Sequence, residues 1–174
     1  MCINTSLLFK RFPGKYYAAD YAMKDHDGYF WLLGRADEVL KIAGHRIGTI
    51  ELEDILISHP AVAESAVIGK FDEVKGESPV AFVVLRPGHG PTPATRRELM
   101  DHVRNNMGPI AVPGALYFVE KLPKTRSGKI MRRLIKAVVE EKALGDVSTL
   151  EDSSSVDEAE KAYRELQAEI HRGG

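Results

Sequence analysis

A chain of 174 residues with 44% apolar and 28% charged residues has the composition of one globular domain, which excludes a disordered or low-complexity polymer. The formal net charge of −1 excludes wholesale nucleic-acid binding, because that asks for an excess of positive charge over a whole face. Cys2 is the single cysteine and can form no internal disulfide, the longest apolar runs are far too short to span a bilayer, and the start MCINTSLLFKRF lacks a long h-region, so a soluble, cytoplasmic chain is expected.

Taken in order, residues 1 to about 15 carry little structural signal beyond a turn at FPGK. The aromatic runs Tyr16 to Ala19 and Tyr29 to Leu33 flank DHDG and predict a β-hairpin, whose apolar residues Phe30 and Trp31 call for a partner surface. DEVLKI, Asp37 to Ile42, alternates polar and apolar residues and Ile47 resumes after AGHR, so a second hairpin turns at Gly44. A helix follows over about 49–58, with Gly48 or Thr49 as cap, Glu51 and Glu53 in the first turn where the helix dipole favours them, and Pro60 as its stop. Val62 to Gly69 and Pro79 to Leu85 are strands separated by the charged loop KFDEVKGES. Thr92 followed by Pro93 opens a helix with Leu99, Val103 and Met107 on one face.

GPIAVPG breaks that helix, Leu116 to Val119 is a further strand, and a basic turn leads into a helix from about Ile130 to Ala143. This order predicts an α+β fold: a small mixed or antiparallel sheet of about three strands packed with helices, preceded by a β-hairpin and followed by a C-terminal helix. After Gly145, DVSTLEDSSS reads as a polar connector. The last helix is expected to open on a capping box of Ser155 and Glu158, with a stripe of Val156, Ala159, Tyr163, Leu166 and Ile170 that docks on the parent domain. The division expected is 1–36 as a terminal hairpin segment, 37–143 as a mobile domain and 144–174 as connector and helix.

The basic turn is LPKTRSGKIMRR, Leu122 to Arg133. Pro123 fixes its own φ, Gly128 frees the backbone just before Lys129, and Lys124, Arg126, Lys129, Arg132 and Arg133 bring five positive charges with no acidic residue between them. That charge suits a polyanion such as a phosphate chain, and read bare it equally suits a solvated face beside a helix start. It is not a P-loop, because Pro123 and Ile130 stand where that motif needs glycine and Ser or Thr. The histidines show no paired spacing of a zinc site, and no serine sits in a GxSxG elbow.

PKTRSGKIMRR resembles the lysine-bearing motif of AMP-forming acyl-CoA synthetases in its acetyl-CoA synthetase form, and GRADEVLK with IAGHRIGT resembles the hinge and glycine loop of the same family. The resemblance implies that Lys129 is the adenylation lysine, that Asp37 is the hinge, and that Ala43 and Gly44 line the pantetheine tunnel of coenzyme A. Many acetyl-CoA synthetases have serine at the position of Ala43, which leaves a backbone contact there. It further implies that Asp20 in YYAAD accepts from both ribose hydroxyls of the nucleotide, that Arg35 fixes the same nucleotide, and that Arg46 serves its phosphates. Arg104 falls where the family places an arginine near the phosphates of coenzyme A, and is equally an ordinary solvated helix residue. Ile57, His59 and Val62 map onto a magnesium position at a helix end, while His59 alone reads as a residue on an apolar helix face.

The activity implied is ATP + carboxylate + CoA → acyl-CoA + AMP + pyrophosphate, with ATP, coenzyme A and magnesium as cofactors and acetate as the carboxylate suggested by motif style. The phosphate loop, adenine segment and carboxylate pocket of the family have no counterpart here. The expected partner is therefore an N-terminal adenylation domain, without which the chain is inactive. Lys129 in an exposed RSGK turn is also a target for lysine-acetylation machinery, which would erase its charge. The alternative is a free-standing nucleotide- or CoA-binding or regulatory module.

Overall fold

The computed structural model describes Lys15, residues 20–35 and residues 38–172. The chain divides into two compact units, 1–39 and 40–174. In the first, β1 (Asp20–Lys24) pairs antiparallel with β2 (Phe30–Arg35) around a turn that the Asp25 carboxylate closes by accepting from the Asp27 and Tyr29 N–H groups. The expected hairpin is present, with its first strand at Asp20–Lys24. Tyr16 to Ala19, where that strand was expected, lie outside the described residues, as does Asp37. Tyr29 and Phe30 are exposed.

The second unit is built on a five-stranded sheet. β3 (Val39–Ile42) and β4 (His45–Gly48) form the second hairpin, α1 (Thr49–Ser58) follows, and β5 (Val62–Asp72) pairs with β6 (Gly76–Leu85) in a long antiparallel hairpin. After α2 (Pro93–Met107), β7 (Ala115–Phe118) adds to β6 in parallel, so the sheet is mixed, in the order β4-β3-β6-β5 with β7 also on β6. α3 (Arg132–Val139) and α4 (Ser154–Arg172) complete the unit.

Helices cover both faces of the sheet, and the alternation of side chains along each strand assigns them. Ala66, Ile68, Val80, Phe82 and Tyr117 point to the face covered by α3 and α4, where Leu134, Ile135, Val138, Val156, Ala159 and Tyr163 meet them. Val67, Ala81, Val83 and Leu116 point to the other face, against Leu52 and Leu56 of α1 and Leu99 and Val103 of α2. Burial on both faces is why PVAFVVL reads as an unbroken apolar run rather than an alternating one. Tyr117 stacks on Phe82 with ring centroids 4.9 Å apart, and the hydroxyl of Tyr163, midway along α4, accepts from Lys70 Nζ at 3.2 Å.

Several elements differ from the sequence expectation for identifiable reasons. The sheet has five strands rather than about three because β3 joins it at a single ladder pair, Ile42 with Gly76, reinforced by the Glu77 carboxylate accepting from the Lys41 N–H at 2.7 Å. The β5–β6 ladder runs through Asp72 and Gly76, leaving only 73–75 of the charged loop as its tip. α3 starts at Arg132 because Ile130 is still in extended pairing with Lys124, and it stops at Val139, short of the expected Ala143.

The Ser155/Glu158 capping box does not form. The Ser155 hydroxyl donates to the Asp152 carbonyl, and the Glu158 carboxylate crosses to the Glu120 N–H. α4 opens instead on the Asp152 carboxylate, which accepts from the Ser154 N–H at 2.9 Å and hydroxyl at 2.8 Å and pairs with Lys121. Lys121 first, then Ser154, hold the Asp152 carboxyl down to about 2. A depressed folded pKa stabilises above the unfolded value and is lost as pH falls through the folded one. Helix docking is therefore expected to weaken between about pH 4 and pH 2, and Asp152→Asn to abolish that pH dependence, as read by hydrogen exchange of the first turn of α4. No helix among the described residues is long and apolar enough to cross a membrane.

Candidate functional site

Two exposed turns of the second unit carry the residues singled out by sequence. The first joins β3 to β4 in two residues, Ala43 at φ 47° and Gly44 at φ 86°. Positive φ at both central positions is the primed turn whose twist matches a tight hairpin; glycine takes it without strain, and Ala43 carries a left-handed penalty of about 1 kcal/mol. The Ala43 N–H donates to the Lys75 carbonyl at 2.7 Å, which anchors the turn to the β5–β6 tip, and the space above Gly44 is open where a side chain would stand. Arg46 is exposed two residues on.

The second turn holds Lys129. Lys124 pairs with Ile130 across it, the Thr125 N–H donates to the Lys129 carbonyl at 2.8 Å, and the Thr125 hydroxyl accepts from the Lys129 N–H at 3.1 Å. Gly128, at φ 80°, donates to the Thr125 carbonyl at 2.8 Å. The lysine stem is exposed and forms no ion pair among the described residues. Three of the five positive charges in this tract are spent internally. Lys124 pairs with Glu64 at 2.7 Å, Arg132 with Glu53, and Arg133 donates to the Leu144 and Asp146 carbonyls. Arg126, Lys129 and Arg133 are the exposed members of the tract, and of these Arg133 is tied to backbone carbonyls, so the five charges do not form one continuous free strip.

Glu53 ties the two turns together. It lies on α1, which starts directly after β4, and its side chain is only 6% exposed. Its carboxylate accepts from Arg132 Nε at 2.8 Å, from Arg132 Nη2, and from the Val67 N–H at 2.8 Å. Since Arg132 stands three residues past Lys129, this pair links the hairpin turn and the lysine turn within one compact unit. Its bidentate geometry fits the guanidinium fork.

The remaining predicted residues are placed as follows. Asp20 and Arg35, the two residues expected to hold the nucleotide, are cross-strand partners in β1–β2 and both exposed. Arg104 lies on the exposed side of the last turn of α2. The carbonyls implied for magnesium are engaged: Val62 accepts from Arg86 Nε at 2.9 Å, and His59 accepts from the Val62 N–H at 3.0 Å. Burial, then the neighbouring His102, hold the His59 imidazole below its ordinary value, consistent with its Nδ1 accepting from the Ala61 N–H. Among the described residues no three His, Cys, Asp or Glu could hold a metal ion. The Arg86 guanidinium takes up one of the two lone pairs of the Val62 carbonyl, and the Val62 N–H one of those of the His59 carbonyl.

Comparison with known proteins gives a consistent answer. Residues 51–129 match the family described as AMP-binding enzyme C-terminal domain. The chain is 64% identical to acetyl-coenzyme A synthetase of Pyrobaculum aerophilum over 94% of its own length and 24% of the relative, and 56% identical to 3-hydroxypropionyl-coenzyme A synthetase of Sulfurisphaera tokodaii over 93% and 24%. The crystal structure of Brucella canis acyl-CoA synthetase superposes with a TM-score of 0.59 at 43% identity, covering 74% of this chain and 24% of that one. The chain thus spans about a quarter of the curated relatives it matches.

Proposed function

We propose that this chain, which belongs to the AMP-forming acyl-CoA synthetase family and carries its C-terminal domain, acts as the mobile lid of an acid–thiol ligase in the cytoplasm. An N-terminal adenylation domain supplies the rest of the site, and the chain is inactive alone. In the first half-reaction a carboxylate oxygen, acetate in our reading, attacks the α-phosphorus of ATP and pyrophosphate leaves. Lys129 neutralises charge between the carboxylate and α-phosphate oxygens, a role that gains strength where water is excluded. In the second, the thiol of coenzyme A attacks the acyl carbon and AMP leaves. The lid turns about Asp37, withdraws Lys129 and presents Ala43 and Gly44 to the pantetheine arm, with Arg104 toward the coenzyme's phosphates.

Asp20 and Arg35 hold the ribose and its nucleotide, and Arg46 its phosphates. Magnesium enters with ATP as part of the substrate. Acetylation of Lys129 would remove the charge on which the first step depends. The segments 1–36, 37–143 and 144–174 then correspond to the end of the adenylation domain, the lid, and its connector and helix.

The observation that carries this reading is an exposed, unpaired ammonium on a hydrogen-bonded turn whose basic neighbours are mostly occupied, held in one compact unit with an open, glycine-bearing hairpin turn. One unit with two working turns is what a lid serving two half-reactions requires. Joining the chain to the N-terminal three quarters of the Pyrobaculum aerophilum relative is expected to restore acetate-dependent pyrophosphate release well above that portion alone. Equal rates with and without the chain would count against the proposal.

A further inference from the structure

The connector between α3 and α4 is read from its composition as a polar linker, but in the structure it is built into the lysine turn. The Arg126 N–H donates to the Thr149 carbonyl at 3.2 Å, the Glu151 N–H donates to the Lys124 carbonyl at 2.9 Å, and Thr125 pairs with Leu150 in an antiparallel bridge. Leu150 itself packs against the core beneath α3 and α4. The connector therefore lies as a short third strand along the outer edge of the Lys124–Ile130 pair.

Its near end is fixed as well. The Arg133 guanidinium reaches the carbonyls of Leu144 and Asp146 on either side of Gly145. Gly145 has φ 68°, and a Cβ there would stand 3.1 Å from Arg133 Nη1, so the chain wraps the guanidinium at a position where only glycine sits without strain. The far end is tied by the Asp152–Lys121 pair. Inside the turn, Thr125 links brace and lysine. Its backbone pairs outward with Leu150, while its N–H and hydroxyl both engage the Lys129 backbone.

We infer that residues 144–152 are a brace that presets the Lys129 turn for the adenylation half-reaction, with Thr125 and Arg133 as its positioning residues. The inference rests on the lid reading above. Neither residue is asked to touch substrate. Lys129 has a long stem, so a turn free to shift by an ångström or so would spread its ammonium over many positions. Misplacement on that scale costs up to about 10²-fold in rate. The hairpin turn at Ala43 and Gly44 receives nothing from the brace, so the thioester half-reaction should not depend on it.

The test uses the chain carried on the N-terminal portion of the Pyrobaculum aerophilum relative, with each half-reaction measured separately. Adenylation is followed as acetate-dependent ATP–pyrophosphate exchange, and thioester formation as acetyl-CoA released from preformed acetyl-adenylate and coenzyme A. Thr125→Val, which keeps shape and backbone bonds but removes the hydroxyl acceptor, is expected to lower adenylation by about tenfold or more and leave thioester formation within about twofold. Thr125→Ser should restore most of the loss. Arg133→Met should show the same split, and carries the test if Thr125→Val fails to fold. Parallel loss of both half-reactions, or no rescue by serine, would overturn the inference by reducing the brace to a folding element. If Lys129→Ala depresses adenylation while Thr125→Val and Arg133→Met do not, the inference fails and the lid reading stands. If Lys129→Ala leaves adenylation unchanged, the lid reading fails and the inference falls with it.

Discussion

Arg132→Met is expected to destabilise the chain by about 3–5 kcal/mol, the range for breaking a buried pair by removing one partner. The Glu53 side chain is 6% exposed, and its neighbours on α1 are Leu52 and Leu56. Without the guanidinium, the Val67 N–H is the remaining group donating to its carboxylate. The reverse change, Glu53→Leu, orphans that N–H and removes the buried carboxylate from the Arg132 guanidinium, whose side chain is 24% exposed. Replacing both together should recover most of the loss, because well-packed apolar residues often match a buried pair in stability. Urea unfolding of the single and double variants of the full chain checks this. A loss below about 1 kcal/mol for Arg132→Met, or a double variant no more stable than the singles, would show that the pair is not what joins α1 to α3.

The same pair shows where sequence reading stops. The bounds of α1 were legible because punctuation at both ends is local: Gly48 before it, Pro60 after it. Both hairpin turns, the start of α2 at Thr92–Pro93 and the inner part of the α4 stripe, Val156, Ala159 and Tyr163, were legible for the same reason; the side chains of Leu166 and Ile170 lie outside the described residues. Glu53 was read as a dipole partner in the first turn, since nothing nearby announces an arginine 79 residues on. A signal existed in its spacing: Thr49, Leu52, Glu53 and Leu56 fall at i, i+3, i+4 and i+7, and all four are buried. A carboxylate on that stripe must find a cation, and the basic tract was the place to look.

The partners of the basic tract lie beyond the reach of the sequence for the same cause. Five charges with no acid between them look like a polyanion site only while their partners, Glu64, Glu53 and two backbone carbonyls, remain out of view. The connector was under-read, because backbone pairing with the Thr125 edge has no side-chain signature beyond Leu150. For the candidate site, the motifs mark the two turns, while the geometry of each, Thr125 beneath Lys129 and Ala43 at positive φ, belongs to the fold. Relatives named for acetyl- and 3-hydroxypropionyl-coenzyme A match this chain at 64% and 56% identity, each over about a quarter of its own length.

Lys129 carries the account. Its ammonium is exposed and pairs with no carboxylate among the described residues, so removing it should cost the fold little. In the chain carried on the relative's N-terminal portion, Lys129→Ala is expected to lower acetate-dependent ATP–pyrophosphate exchange by about 10²–10³, the magnitude of losing one preorganised electrostatic contact to a transition state. Acetyl-CoA formation from preformed acetyl-adenylate should stay within about twofold, since the proposed lid motion withdraws the lysine when it presents the hairpin turn. Measuring both half-reactions on that one variant tests the claim most directly. A large loss in the first with the second preserved is what the lid account predicts, and an equal loss in both, or none in either, would contradict it.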